Sequence, residues 1–61
     1  MWMSLQLELG QAVHRARYRV EGDMLVLEWR GGREVNRYGQ LKPEFVATSR
    51  LKQLVSQALA A

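Results

Sequence analysis

Arg15, Arg17 and Arg19 occupy every second position of the stretch HRARYRV, with Ala16, Tyr18 and Val20 between them. A guanidinium is a planar, permanently charged fork. It binds phosphate or carboxylate through paired hydrogen bonds and stacks on flat π systems. Period two is the side-chain repeat of a β-strand, so the three cations are expected on one side of a strand and the apolar residues on the other. The chemistry on offer is recognition of an anion. Catalysis is poorly provided for. His14 is the only histidine, and it falls on the apolar side near a sheet end, where a structural role is expected. Glu8 and Glu28 share the arginine side, and carboxylates beside arginines stay ionised instead of working as a tuned acid–base pair. Asp23 falls in a turn. The chain has no cysteine, which excludes a thiolate zinc site, and no metal-ligand spacing or phosphate-binding glycine loop is present. The expectation is a non-enzyme with no cofactor and no metal.

The elements that must carry these residues follow from periodicity. MSLQLELG alternates Met3, Leu5, Leu7 and Leu9 with Ser4, Gln6 and Glu8, which argues a half-buried strand over about 3–9. Gly10-Gln11 offers a two-residue turn with glycine first, the type II′ preference. A second strand is expected over about 12–20. Gly22-Asp23 is a second turn of the same kind, MLVLEW opens a third strand over about 24–30, and Gly31-Gly32 is a third hairpin signal. A weaker strand over about 33–38 ends before Gly39. The period then changes. Pro43 is tolerated at the first position of a helix, and Glu44 in the first turn suits the helix dipole. Ala47, Leu51, Leu54, Val55, Ala58 and Leu59 fall on one helical stripe, which predicts a helix over about 44–60. Thr48 is an alternative N-cap, with PEFV as a separate turn, and Phe45 and Val46 lie off the stripe. The reading is one small α+β domain over 1–61: a four-stranded antiparallel β-meander followed by one C-terminal α-helix packed on one sheet face, β-β-β-β-α.

Register is testable on the sequence. With two-residue turns, Leu9 opposes Ala12, Leu7 opposes His14, Leu5 opposes Ala16 and Met3 opposes Tyr18. In the next hairpin Val20 opposes Leu25, Tyr18 opposes Leu27 and Ala16 opposes Trp29. All of these residues land on one face, and a one-residue slip would mix apolar with charged side chains. That face is the expected core. The other face takes Trp2, Ser4, Gln6, Glu8, Val13, Arg15, Arg17, Arg19, Met24, Val26, Glu28 and Arg30. A third two-residue turn at Gly31-Gly32 adds Arg33, Val35 and Arg37. Arg17 then opposes Glu28, and Arg30 opposes Arg33, an unfavourable like-charge pair. Trp2 falls across from Arg19, in reach of a cation–π contact. The same register turns Glu34 and Asn36 to the core side, at an edge that the helix is expected not to reach. A three-residue loop with a bulge would instead turn Val35 inward and remove Arg33 and Arg37 from the arginine face.

Composition limits the function classes. The chain has 61 residues and a formal net charge of +3. A chain this short buries a modest core, and without disulfides the remaining reinforcement is oligomerisation, most often as a homodimer. No apolar run is long enough to span a bilayer, and the first ten residues lack a basic n-region. A soluble, cytoplasmic protein without a membrane partner is therefore expected. Two functional readings remain. The first is non-catalytic binding of nucleic acid, DNA or RNA, through the open face, with Arg15, Arg17, Arg19, Arg30, Arg33, Arg37 and Trp2 as candidate contacts. The second is a protein-interaction or accessory module, self-associating through the same face or an edge strand, because valines among arginines also describe an interface.

The element order, the basic sheet face and QLKPEFV…LKQLV before a terminal amphipathic helix resemble the single-strand DNA-binding fold of the transcriptional positive-cofactor type. The resemblance covers most of the chain and is one of topology. It implies a dimer that binds DNA across its sheets, and no functional residue is carried over from it.

Overall fold

The computed structural model describes residues 1–60. Four strands, β1 (Met3–Leu9), β2 (Ala12–Glu21), β3 (Met24–Trp29) and β4 (Gly32–Arg37), form one antiparallel sheet in the order β1-β2-β3-β4. A single helix, α1 (Pro43–Ala60), packs on one face of it. The chain has the β-β-β-β-α architecture that its periodicity predicts.

The first two hairpins hold the expected register throughout: Met3↔Tyr18, Leu5↔Ala16, Leu7↔His14 and Leu9↔Ala12, then Ala16↔Trp29, Tyr18↔Leu27 and Val20↔Leu25. Their turns differ in kind. Gly22 has φ 61 and Asp23 has no positive φ, the type II′ signature expected there. Gly10 and Gln11 both have φ 65. Two positive φ values belong to type I′, not to the type II′ turn that a leading glycine suggests. Gln11 therefore holds a conformation that an L side chain disfavours.

The third turn falls one residue earlier than expected. Trp29 pairs with Gly32, so the loop is Arg30-Gly31 and not Gly31-Gly32. β3 accordingly stops at Trp29 and β4 starts at Gly32, which takes up φ 148, a value open only to glycine. The Trp29 indole lies over Gly31, where an added Cβ would clash with Nε1, so this turn position has room only for glycine. Moving the turn by one residue shifts the β3–β4 pairing by two, an even number, so every residue keeps its face. Its partners change: Arg33 opposes Glu28, Val35 opposes Val26 and Arg37 opposes Met24. The expected opposition of Arg30 and Arg33 does not form, and Val35 stays on the open face.

Core packing follows the two periods. Tyr18, Leu25 and Leu27 from the sheet meet Ala47, Leu51 and Val55 from α1, with Leu5, Leu7, Leu9, Ala16, Trp29, Tyr38, Val46 and Leu54 packed around them. Leu25, Leu27 and Leu51 are fully buried, each contributing about 2–3 kcal/mol of transfer free energy. Met3 and Val20 lie on the same sheet face but stay 50% and 43% exposed, so α1 leaves that corner open. The helix begins at Pro43, where Val46 N–H donates to Lys42 C=O at 3.1 Å. Thr48 is not an N-cap. Its hydroxyl donates back to Glu44 C=O at 2.9 Å, inside the helix.

As expected, the body of the helix packs on β1, β2 and β3 and does not reach the edge strand. The Arg50 side chain crosses the gap: Arg50 Nε donates to Glu34 Oε2 at 3.2 Å and Arg50 Nη2 donates to Glu34 Oε1. That bridge explains why a glutamate faces inward at the edge: it has a cation waiting. Hydrogen bonding to Glu34 raises the Arg50 pKa above its ordinary value, against the opposing effect of desolvation.

Candidate functional site on the open sheet face

Strand parity puts Arg15, Arg17 and Arg19 of β2 beside Glu28 of β3 and Arg33 and Arg37 of β4, on the face away from α1. Arg30 sits in the β3–β4 turn at the rim of this face, not on a strand as the sequence suggested. Arg50, the remaining arginine, is the one held by Glu34 on the helix side.

Most of these cations are already paired. Glu28 is shared by two arginines from the strands on either side. Arg17 donates through Nε to Glu28 Oε1 at 2.8 Å, with its Nη2 at 2.7 Å from the same oxygen, and Arg33 Nε lies 3.6 Å from Oε2. Arg19 pairs with Glu21, which β2 reaches by extending one residue past its expected end. Arg37 lies 3.8 Å from Asp23 in the second turn. Sequence reasoning missed Glu21 and Asp23 as counter-charges. The signal was available, since Glu21 continues the parity of Arg15, Arg17 and Arg19.

Trp2 lies against two guanidiniums at once, 4.2 Å from Arg17 Cζ and 4.8 Å from Arg19 Cζ to the ring centroid. The register predicted the second contact, and the first adds to it. Below them the face has a small apolar patch of its own. Val26 is only 3% exposed although α1 is on the other side of the sheet. Its cross-strand neighbours are Arg19 and Val35, and long arginine stems cover apolar surface while keeping the charged head in water. The cost shows at Arg19, whose Nε is buried without a hydrogen-bond partner.

Arg15 and Arg30 stand apart. β2–β3 pairing ends at Ala16↔Trp29, and the next residues outward are Arg15 on β2 and Arg30 in the β3–β4 turn. Neither makes an ion pair among the described residues. With Ser4, Arg17 and Glu28 they line a shallow, open concavity of about 400 Å³. They also line the mouth of a second groove, about 280 Å³, that runs towards Leu51 and Val55 under the helix. Beyond Ala16 the β1–β2 hairpin overhangs the β3–β4 hairpin, because Ala12–Arg15 pair with β1 alone. The two unpaired cations mark the inner corner of that step.

His14 faces the helix side, half-buried, with Nε2 3.1 Å from Leu9 C=O. Its ring is tied to the backbone. Among the described residues no group of three or more histidine, cysteine, aspartate or glutamate side chains is placed to hold a metal ion, and no helix is long and apolar enough to cross a membrane. Compared with family models, with curated proteins and with solved structures, the chain matches none.

Proposed function

We propose that the protein binds nucleic acid without catalysis, laying a phosphate backbone against the open sheet face. The observation that carries this reading is placement. Six of the seven arginines lie on or at the rim of one sheet face, the one that α1 leaves uncovered. Arginine forks suit phosphate oxygens, and a rigid sheet holds them in fixed order. Trp2 is engaged by two guanidiniums, and Tyr18 is in the core. The face therefore offers phosphate contacts far more than base-stacking surface, which points to sequence-independent binding.

Fluorescence anisotropy of labelled single- and double-stranded DNA and RNA, across a salt series, tests the reading. Binding should weaken steeply with salt, and replacing arginines of the face should flatten the log–log slope. Replacing Lys42 and Lys52, which lie off this face, should leave it unchanged. Absence of binding at low salt would remove this reading. It would favour the second, a protein-interaction or self-associating surface. Val13 and Val35, about half exposed among the arginines, support that one. Light scattering would then show a dimer or a complex.

A further inference from the structure

Resting on the nucleic-acid reading, we propose that phosphate contact is concentrated at the step in the sheet beside Arg15 and Arg30, with Arg17 as a secondary contact, and that Arg19, Arg33 and Arg37 are framework. Around the face, Glu28 neutralises Arg17 and Arg33 in part, Glu21 holds Arg19 and Asp23 lies by Arg37. For any of these to grip a phosphate, an existing ion pair must be broken or shared, and the gain is reduced accordingly. Among the described residues Arg15 and Arg30 have no such partner to leave. Two like charges lining one concavity repel, so an anion between them relieves a cost that the free protein carries. Glu8 across β1–β2 and Glu28 across β2–β3 each stand one diagonal step from Arg15, and neither forms an ion pair with it.

Shape agrees with charge. The end of β2–β3 pairing leaves a corner open from above and from the side, wide enough for a tetrahedral phosphodiester. Arg17 is the next open-face arginine along β2, two residues or about 7 Å away, a spacing close to the repeat of an extended sugar–phosphate chain. Its Nη1 carries none of the bonds to Glu28, so it can take a neighbouring phosphate without giving up that carboxylate. The route runs from the step along β2, and the Arg33–Arg37 edge lies outside it.

Two measurements test the proposal. In the first, salt titrations are run on a labelled single-stranded oligodeoxynucleotide and on its duplex. Arg15→Ala and Arg30→Ala should each weaken binding about tenfold and flatten the log–log slope by about 0.7–0.9. Arg33→Ala and Arg37→Ala should do neither. Glu28→Gln should tighten binding and steepen the slope, because it frees Arg17 and removes a negative charge from the concavity. Thermal melts of each variant, with Arg15→Lys and Arg30→Lys as charge-preserving partners, separate binding from folding. In the second measurement, inorganic phosphate is titrated into the protein while the arginine Nε–Hε signals are followed. Saturable shifts should appear at Arg15 and Arg30 first. Equal slope losses at Arg33 and Arg37, or a Glu28→Gln variant that binds no better, would overturn the step while leaving nucleic-acid binding intact. If neither oligonucleotide binds, the function reading fails, and the phosphate titration still decides the step: no saturable shift at Arg15 and Arg30 overturns it.

Discussion

Arg50 and Glu34 join the middle of the helix to the inner face of the edge strand by two hydrogen bonds. Their side chains are 34% and 22% exposed, less than those of any other pair in which both partners are described. Arg50 also donates to Gln53 one turn further on, which holds its fork in place. Because both groups keep some contact with water, a double-mutant cycle on Arg50→Ala and Glu34→Ala should give a coupling of about 1 kcal/mol. Each single change should lower Tm by several degrees, about 4–8 °C per kcal/mol in a domain of this size. The pKa of Arg50 is raised on folding, so its contribution is complete below the ordinary arginine value and is lost only above it. Coupling measured at about pH 7 and about pH 9 should therefore agree.

Gln11 carries a positive φ in a turn where glycine is free to do so. Gln11→Gly should raise stability by about 0.5–1 kcal/mol in urea unfolding, since the left-handed conformation costs an L residue that much or more. Gly10→Ala should do the reverse. It has the same φ, and its new Cβ would also come within 3.3 Å of Leu59 Cδ1.

Gly31 tests the position of the third turn. A Cβ there meets the Trp29 indole at 2.4 Å, so Gly31→Ala should displace that ring and cost about 1–3 kcal/mol. The displacement should be visible as a change in tryptophan emission and near-UV circular dichroism. Gly22→Ala meets no atom within 4 Å. It should cost only its backbone strain, about 1–2 kcal/mol, with the Trp29 signal unchanged.

Two valines on the open face should behave differently. Val26 is 3% exposed and Val13 is 51% exposed. Val26→Ala should destabilise the protein by about 2 kcal/mol, whereas Val13→Ala should stay within about 0.5 kcal/mol. Similar effects at both positions in chemical denaturation would show that the open face has no packed patch beneath its arginines.

Much of the architecture is written in local pattern. Period two across residues 3–9 and 12–20, broken by glycine turns, decides strands and the register of two hairpins together, because one face must be apolar. The same parity puts Arg15, Arg17 and Arg19 on the uncovered side. Parity also explains why Arg33, Val35 and Arg37 keep the expected face although the third turn lies one residue earlier. The observed turn sets the Trp29 ring against Gly31, a contact between side chain and backbone that no periodicity encodes.

By itself the sequence determined which residues share a face, since alternation along a strand is a property of the backbone. Only the tertiary structure decided which charges remain free. Ion pairing depends on reach between strands and from the helix: Glu28 lies between Arg17 and Arg33, Arg50 crosses to Glu34, and Asp23 comes near Arg37. A face read as six equivalent arginines thus resolves into a largely compensated surface with two uncompensated cations at one step. Distances of a few ångströms separate a solvated charge from a neutralised one, and those distances arise only once β2, β3, β4 and the helix have packed together.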